Sequence, residues 1–187
     1  GTSAGADAVI KRIKETIPNK PIRYVGVTHH HGDHIGGLRS FIAEGATVVT
    51  TANNRRTIEA MAAAPQKDRL ARSPRKVEFA LLEKGRRVFT DGNQTVELID
   101  IGPNPHAREM VVAWLPKQKI VFQGDLFGLP NNDAPFGPPQ AGTLSFAQQL
   151  KEKGLDPERI ASVHGKTATI EQFRQALEIA APAGGNN

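Results

Sequence analysis

Six consecutive residues carry the densest chemistry in this chain: His29-His30-His31-Gly32-Asp33-His34. His29, His31, Asp33 and His34 are all side chains that bind metals. Burying so many imidazoles and a carboxylate without a metal would leave costly unpaired polar groups. Past the end of a strand, His29 and His31 can point to one side. Asp33 and His34 follow Gly32, where the chain turns into a helix, and can point to a neighbouring position. That makes two ligand sets a few ångströms apart, and two-metal hydrolytic sites hold their ions ~3.5–4 Å apart. His106, His164 and Asp125 each fall where a predicted strand meets a loop. A lone histidine in such a place is more often structural than a ligand. Three such residues beside the His29–His34 cluster argue for a shared metal site. Imidazole and carboxylate donors without sulfur suit zinc first, and iron or manganese next. The chain has no cysteine, so thiolate sites and disulfides are excluded.

These residues need elements to hold them. Ser3 can cap a first helix with Ala6, Val9, Ile10, Ile13 and Ile17 on one face, stopped at residues 18–21 by Pro-Asn-Lys-Pro. Residues 22–28 read as a strand buried on both sides that runs straight into His29. Residues 35–41 return to helix, 47–51 form a strand, and 53–64 a helix ended by Pro65. Residues 66–75 read as a loop or irregular helix. The middle is β-rich, with strands at 77–82, 86–90, 95–101, 110–115 and 119–123. Asp91-Gly92 marks a hairpin turn. Residues 126–142, rich in Pro, Gly and Asn, form a long connection of the kind that serves as a lid. They follow Asp125 directly, so Phe127 and Phe136 are candidates for the wall of a substrate pocket. Thr143 is expected to cap a helix to about Lys153, residues 160–163 to deliver His164 from a strand, and 167–180 to close the fold as a helix. Residues 1–182 read as one domain and 183–187 as a disordered tail.

The 187 residues suffice for one domain with a real core, and 39% hydrophobic with 23% charged residues is ordinary globular composition. No apolar run approaches the ~20 residues a spanning helix needs. The first residues lack the basic start and apolar stretch of a signal peptide, and a cysteine-free domain suits cytosol and periplasm alike. The net charge of +5 is spread along the chain. Its densest basic stretch, residues 67–76, lacks the interleaved aromatics that grip single strands, which argues against a nucleic-acid partner.

The string His29-x-His31-x-Asp33-His34, followed by Ile35-Gly36-Gly37, resembles the signature of the metallo-β-lactamase superfamily. His106 after a strand, Gly124-Asp125-Leu126 after a hairpin and His164-Gly165 near the end repeat the family's later elements in order. The resemblance spans nearly the whole chain, from about Ala6 to Ala180. It implies an αββα four-layer sandwich and two zinc ions. His29, His31 and His106 would hold one ion, Asp33, His34 and His164 the other, and Asp125 would bridge both. It further implies a metal-bound hydroxide as nucleophile, oriented by Asp33, with His30 outside the ligand set.

Departures from the family's branches narrow the substrate. Asp125 stands where β-lactamases of this superfamily usually carry Cys or Ser, which makes β-lactam hydrolysis a minor activity at most. Asn104-Pro105-His106-Ala107-Arg108 differs from the Gly-His-Thr of glyoxalase-II-like thioesterases. Tyr24, the one tyrosine, lies before the motif rather than near the metals as in lactonases. Gly165-Lys166-Thr167 lacks the Ser and Arg of tRNA-processing nucleases, and the motif lacks the Glu of the flavodiiron branch. The expectation is hydrolysis of a small ester, thioester, lactone or phosphoester. A nuclease with the same site, an inert metal-binding fragment and a metal-dependent oxygenase are the alternatives. The family fold opens with strands ahead of the first helix. Without them a sheet edge is expected to be covered by a partner chain or by self-association.

Overall fold

The structure is a computed structural model in which residues 1–132 and 134–179 are described. The expected tail at 183–187 lies outside them. The chain divides into two compact units, one ending at Lys84 and one starting at Gly85.

The first unit begins with α1, Ser3–Thr16, capped by Thr2 rather than Ser3. The Thr2 hydroxyl accepts the Gly5 N–H at 3.1 Å. Ala6 and Ile10 are buried along this helix, whereas Val9 and Ile17 are half exposed. A three-stranded parallel sheet follows, with β1 (Tyr24–Gly26), β2 (Thr47–Thr50) and β3 (Phe79–Leu81) in spatial order β1-β2-β3. The strand expected at residues 22–28 to be buried on both sides is therefore an edge strand, with Tyr24 45% exposed. Burial on both faces falls instead to the central β2, where Val48 and Val49 are fully enclosed. Parallel neighbours need crossover connections. These are supplied by α2 (Gly32–Ile35) and α3 (Leu38–Ala43) before β2, and by α4 (Ala52–Ala63) and α5 (Arg69–Arg72) before β3. The single helix expected over 35–41 is thus two short ones, with Gly36 and Gly37 at the break. A Cβ at Gly37 would meet Ala6 Cβ and the Thr2 carbonyl, so the close approach of α1 requires glycine there. Val27, Ile35, Leu38, Ile42, Val48, Ile58 and Leu70 form this unit's core.

One buried ion pair fastens the crossovers together. Arg39 on α3 donates to both carboxylate oxygens of Asp68, which in turn caps α5 through the Ala71 N–H at 3.0 Å. The same guanidinium donates to the carbonyls of Met61, Ala62 and Ala64 at the end of α4. Arg39 and Asp68 side chains are 4% and 8% exposed. The Arg39 hydrogen bond, outweighing the burial that opposes it, holds the Asp68 carboxyl below its ordinary range.

The second unit is a six-stranded sheet of β4 (Arg86–Thr90), β5 (Thr95–Asp100), β6 (Val111–Leu115), β7 (Ile120–Gln123), β8 (Arg159–Ser162) and β9 (Ala168–Thr169), adjacent in that order. The hairpin at Asp91-Gly92 forms as expected: the Asp91 carboxylate accepts from the N–H groups of Asn93 and Gln94 at 2.9 and 2.8 Å, and Gly92 takes φ +90°. All pairings are antiparallel except β7 with β8, which is parallel and is reached through α6, Ala141–Glu152. Thr143 does not cap α6, whose preceding residue is Gln140. It lies inside the first turn, buried, and its hydroxyl donates to the Leu126 carbonyl at 2.7 Å. The last helix, α7 (Ile170–Glu178), starts later than the sequence suggests. Thr169 and Gln172 form a reciprocal capping box there, and Ala168–Thr169 pairs as strand. Phe146, Phe173, Met110, Val112, Val121 and Ile160 anchor the core of this unit. No helix among the described residues is long and apolar enough to cross a membrane.

Candidate metal centre

The first unit brings His29, His31, Asp33 and His34 together. The chain leaves β1 at Gly26, bends at Thr28 and His30 and turns into α2, whose first turn holds Asp33 and His34. The His29 ring centroid lies 4.4 Å from that of His31 and 4.1 Å from that of His34. His29 is fully buried. Candidate ligand atoms of His29 and His31 fall within 4.8 Å of each other, as do those of Asp33 and His34. The Asp33 carboxylate is 53% exposed and lies 3.3 Å from Nε2 of His34, whose side chain is 3% exposed.

Thr28, which the sequence reading passed over, orients this set. Its hydroxyl stands 3.2 Å from Nδ1 of His29 and 3.3 Å from Nδ1 of His34. A hydroxyl oxygen has two lone pairs and can accept the Nδ1–H of both rings, the tautomer that makes Nε2 of each the coordinating nitrogen. A threonine immediately before the first histidine of the cluster was the available signal. The His30 ring lies 5.2 Å from that of His31, and His30 belongs to neither group of candidate ligand atoms.

The second unit brings His106, Asp125 and His164 together. His106 rides on the connection from β5 to β6. There Asn104 Oδ1 accepts the N–H groups of His106 and Ala107 at 2.9 and 3.0 Å, and Gln149 donates to the Pro103 carbonyl at 2.9 Å. Asp125 follows β7 and His164 follows β8. Because these strands are parallel and Gln123 pairs with Ser162, each ligand stands two residues beyond a matched pair. The Asp125 carboxylate faces both histidines, with Oδ2 3.0 Å from Nε2 of His106 and Oδ1 3.5 Å from Nε2 of His164.

A cavity of about 460 Å³ opens beside Asp125 and His164, with Phe127, Phe136 and Pro130 among its walls. Phe127 and Phe136 therefore both border it. Phe127 is itself 8% exposed and packs edge-on against Phe173 with centroids 4.7 Å apart. It belongs to the core as much as to the cavity.

The donors fit a metal. Around a tetrahedral zinc with bonds of about 2.0–2.1 Å, neighbouring donor atoms lie ~3.3 Å apart. The 3.0 and 3.5 Å separations at Asp125 bracket that spacing, and every donor is imidazole or carboxylate. Fold and donor sets together define a mixed α/β protein with groups of histidine and aspartate side chains that could hold metal. The chain belongs to the metallo-beta-lactamase superfamily, whose family model matches residues 1–164.

Solved structures agree on the fold. A metallo-beta-lactamase from Pontibacter korlensis is 21% identical, with 92% of this chain and 75% of that one covered and a TM-score of 0.61. The flavodiiron protein from Giardia intestinalis is 18% identical, over 94% of this chain and 46% of that one, with a TM-score of 0.65. Rubredoxin oxygen:oxidoreductase from Desulfovibrio gigas is 20% identical, over 95% and 47%, with a TM-score of 0.66. No curated protein sequence matches. The fold class expected from the sequence is the one found.

Proposed function

We propose that this chain is a dinuclear zinc hydrolase acting on a small ester, thioester, lactone or phosphoester. His29, His31 and His106 would hold one ion, Asp33, His34 and His164 the other, with Asp125 shared. The observation that carries the reading is the Asp125 carboxylate, which offers one oxygen toward His106 and the other toward His164. A carboxylate serving one ion has no need of a separate imidazole at each oxygen, whereas a bridging one does. Ions bound there would supply Lewis acidity and bring the ionisation of a water into the neutral range.

The chain's own groups do the rest. Asp33, half exposed beside the buried His34, accepts a hydrogen bond from the attacking water and aims it. Thr28 keeps His29 and His34 in one orientation, which limits reorganisation when substrate arrives. Phe127, Phe136 and Pro130 wall the cavity next to Asp125 and His164 and favour a substrate with an apolar portion.

Metal analysis of the purified protein, joined to a panel of carboxylic esters, thioesters, lactones and phosphoesters, tests the reading. Two zinc ions per chain with zinc-dependent turnover on one class are expected. Two irons with oxygen consumption, or two zinc ions with no turnover on any class, would overturn it.

A further inference from the structure

Gln123, the last residue of β7, has a fully buried side chain that forms no part of the candidate ligand sets. A primary amide in such a place must satisfy both a carbonyl oxygen and an NH₂ group. It does so across the turn that carries Asp125. Its Oε1 accepts the Leu126 N–H at 2.8 Å, and its Nε2 donates to the Phe127 carbonyl. Residues 124–127 are thus looped back onto the strand that launched them, with Asp125 inside the loop. Two further side chains hold the same turn. Thr143 donates to the Leu126 carbonyl. Ser162 donates to the Gly124 carbonyl at 3.1 Å and accepts the His164 N–H at 3.2 Å, which ties the turn to the other ligand. Beyond the turn, Leu129 and Lys166 exchange backbone hydrogen bonds of 3.3 and 2.9 Å. A Cβ at Gly128 would run into the His164 carbonyl oxygen, so the two backbones are as close as they can be.

We infer that Gln123 is a positioning residue whose buried amide braces the Asp125 turn and so sets the carboxylate between His106 and His164. The amide is specific to the task. Glutamate keeps the acceptor for Leu126 but places a carboxylate oxygen against the Phe127 carbonyl. Methionine keeps the volume and offers neither an amide donor nor an amide acceptor. Groups that orient metal ligands from behind typically change metal affinity about 10- to 100-fold when replaced.

The inference rests on the proposed metal centre, and the experiment separates the two. Metal-free wild type, Gln123→Met and a control, Phe146→Leu, are titrated with zinc against a chromophoric chelator, and with cobalt(II) to read the visible ligand-field bands. Phe146 is fully buried in the same unit and is remote in sequence from the Asp125 turn. Its replacement therefore reports what destabilisation alone does to the titration. For Gln123→Met a loss of about 10- to 100-fold in zinc affinity is expected, with altered cobalt bands. An affinity lowered no more than in Phe146→Leu overturns the positioning role while leaving the metal centre intact. A wild type that binds no zinc overturns both. If Gln123→Met yields no folded protein, Gln123→Glu is read in the same way, and a zinc affinity no lower than the control's overturns the role.

Discussion

Removing the Asp68 carboxylate should cripple the first unit before any metal is considered. Asp68→Ala deletes the partner of a guanidinium that is 4% exposed, and stranding one member of a buried ion pair costs about 3–5 kcal/mol. It also deletes the acceptor that caps α5 at Ala71, worth about 1 kcal/mol more. The sum rivals the roughly 5–15 kcal/mol that separates most folded proteins from their unfolded chains. Swapping both partners for hydrophobes, as in Arg39→Met with Asp68→Leu, is often neutral for a buried pair. Here it should recover only part of the loss, because Arg39 also serves the carbonyls of Met61, Ala62 and Ala64. Urea unfolding of the metal-free proteins, followed by circular dichroism, measures this. The pH dependence has a definite sign. The folded-state carboxyl titrates below its unfolded value, so its contribution is complete above the unfolded pKa of about 3.9. It fades as pH falls through the lower, folded-state pKa. Wild type and Asp68→Asn should therefore converge in stability only in strong acid. An Asp68→Ala loss under about 1 kcal/mol, the range of an exposed pair, or a double swap as stable as wild type, would refute the reasoning.

Asp33→Ala should lower kcat about 10²–10⁴-fold, the usual worth of a positioned acid–base group, while zinc at the other ion's ligands is retained; activity near wild type at saturating zinc would contradict the proposed mechanism. Phe127→Ala is a poor probe of the cavity, because truncating a buried phenylalanine costs about 3–5 kcal/mol. Phe127→Leu is the better one, and a raised KM with unchanged zinc content is expected, unchanged kinetics counting against a substrate wall. Self-association through the outer edge of β1, where Tyr24 is 45% exposed, should raise the apparent mass with concentration in light scattering; a constant monomer mass refutes it.

The candidate ligands were legible because their chemistry is written in local sequence: four side chains able to bind metal within six residues, Asp125 and His164 just past predicted strands, and His106 in the loop between two more. What the sequence concealed was mostly long-range. The run at residues 22–28 is apolar enough for a central strand, and only the spatial order of the sheet reveals that β2 takes the centre and β1 the edge. Thr143 has the chemistry of a cap, but the Leu126 carbonyl, distant in sequence, claims its hydroxyl. Gln123 reads as an ordinary polar residue ending a strand. Its role appears only once the turn behind it closes. Thr28 was visible all along, adjacent to His29, yet its contact with His34 depends on the geometry of α2.

The matched register of β7 and β8 has an evolutionary consequence. Asp125 and His164 each lie two residues past the matched pair Gln123 and Ser162, whose parallel strands run about 4.8 Å apart, the ordinary spacing of a sheet. The turn that carries Asp125 is held by Gln123, Thr143 and Ser162 rather than by residues 130–140, which include much of the cavity wall. Insertions, deletions and randomised segments in residues 130–140 can rewrite the cavity without disturbing the pair. One residue gained or lost inside either strand would break the match between Gln123 and Ser162 from which both turns start. A library seeking new substrates should thus vary that connection in both length and composition and leave the two strands untouched.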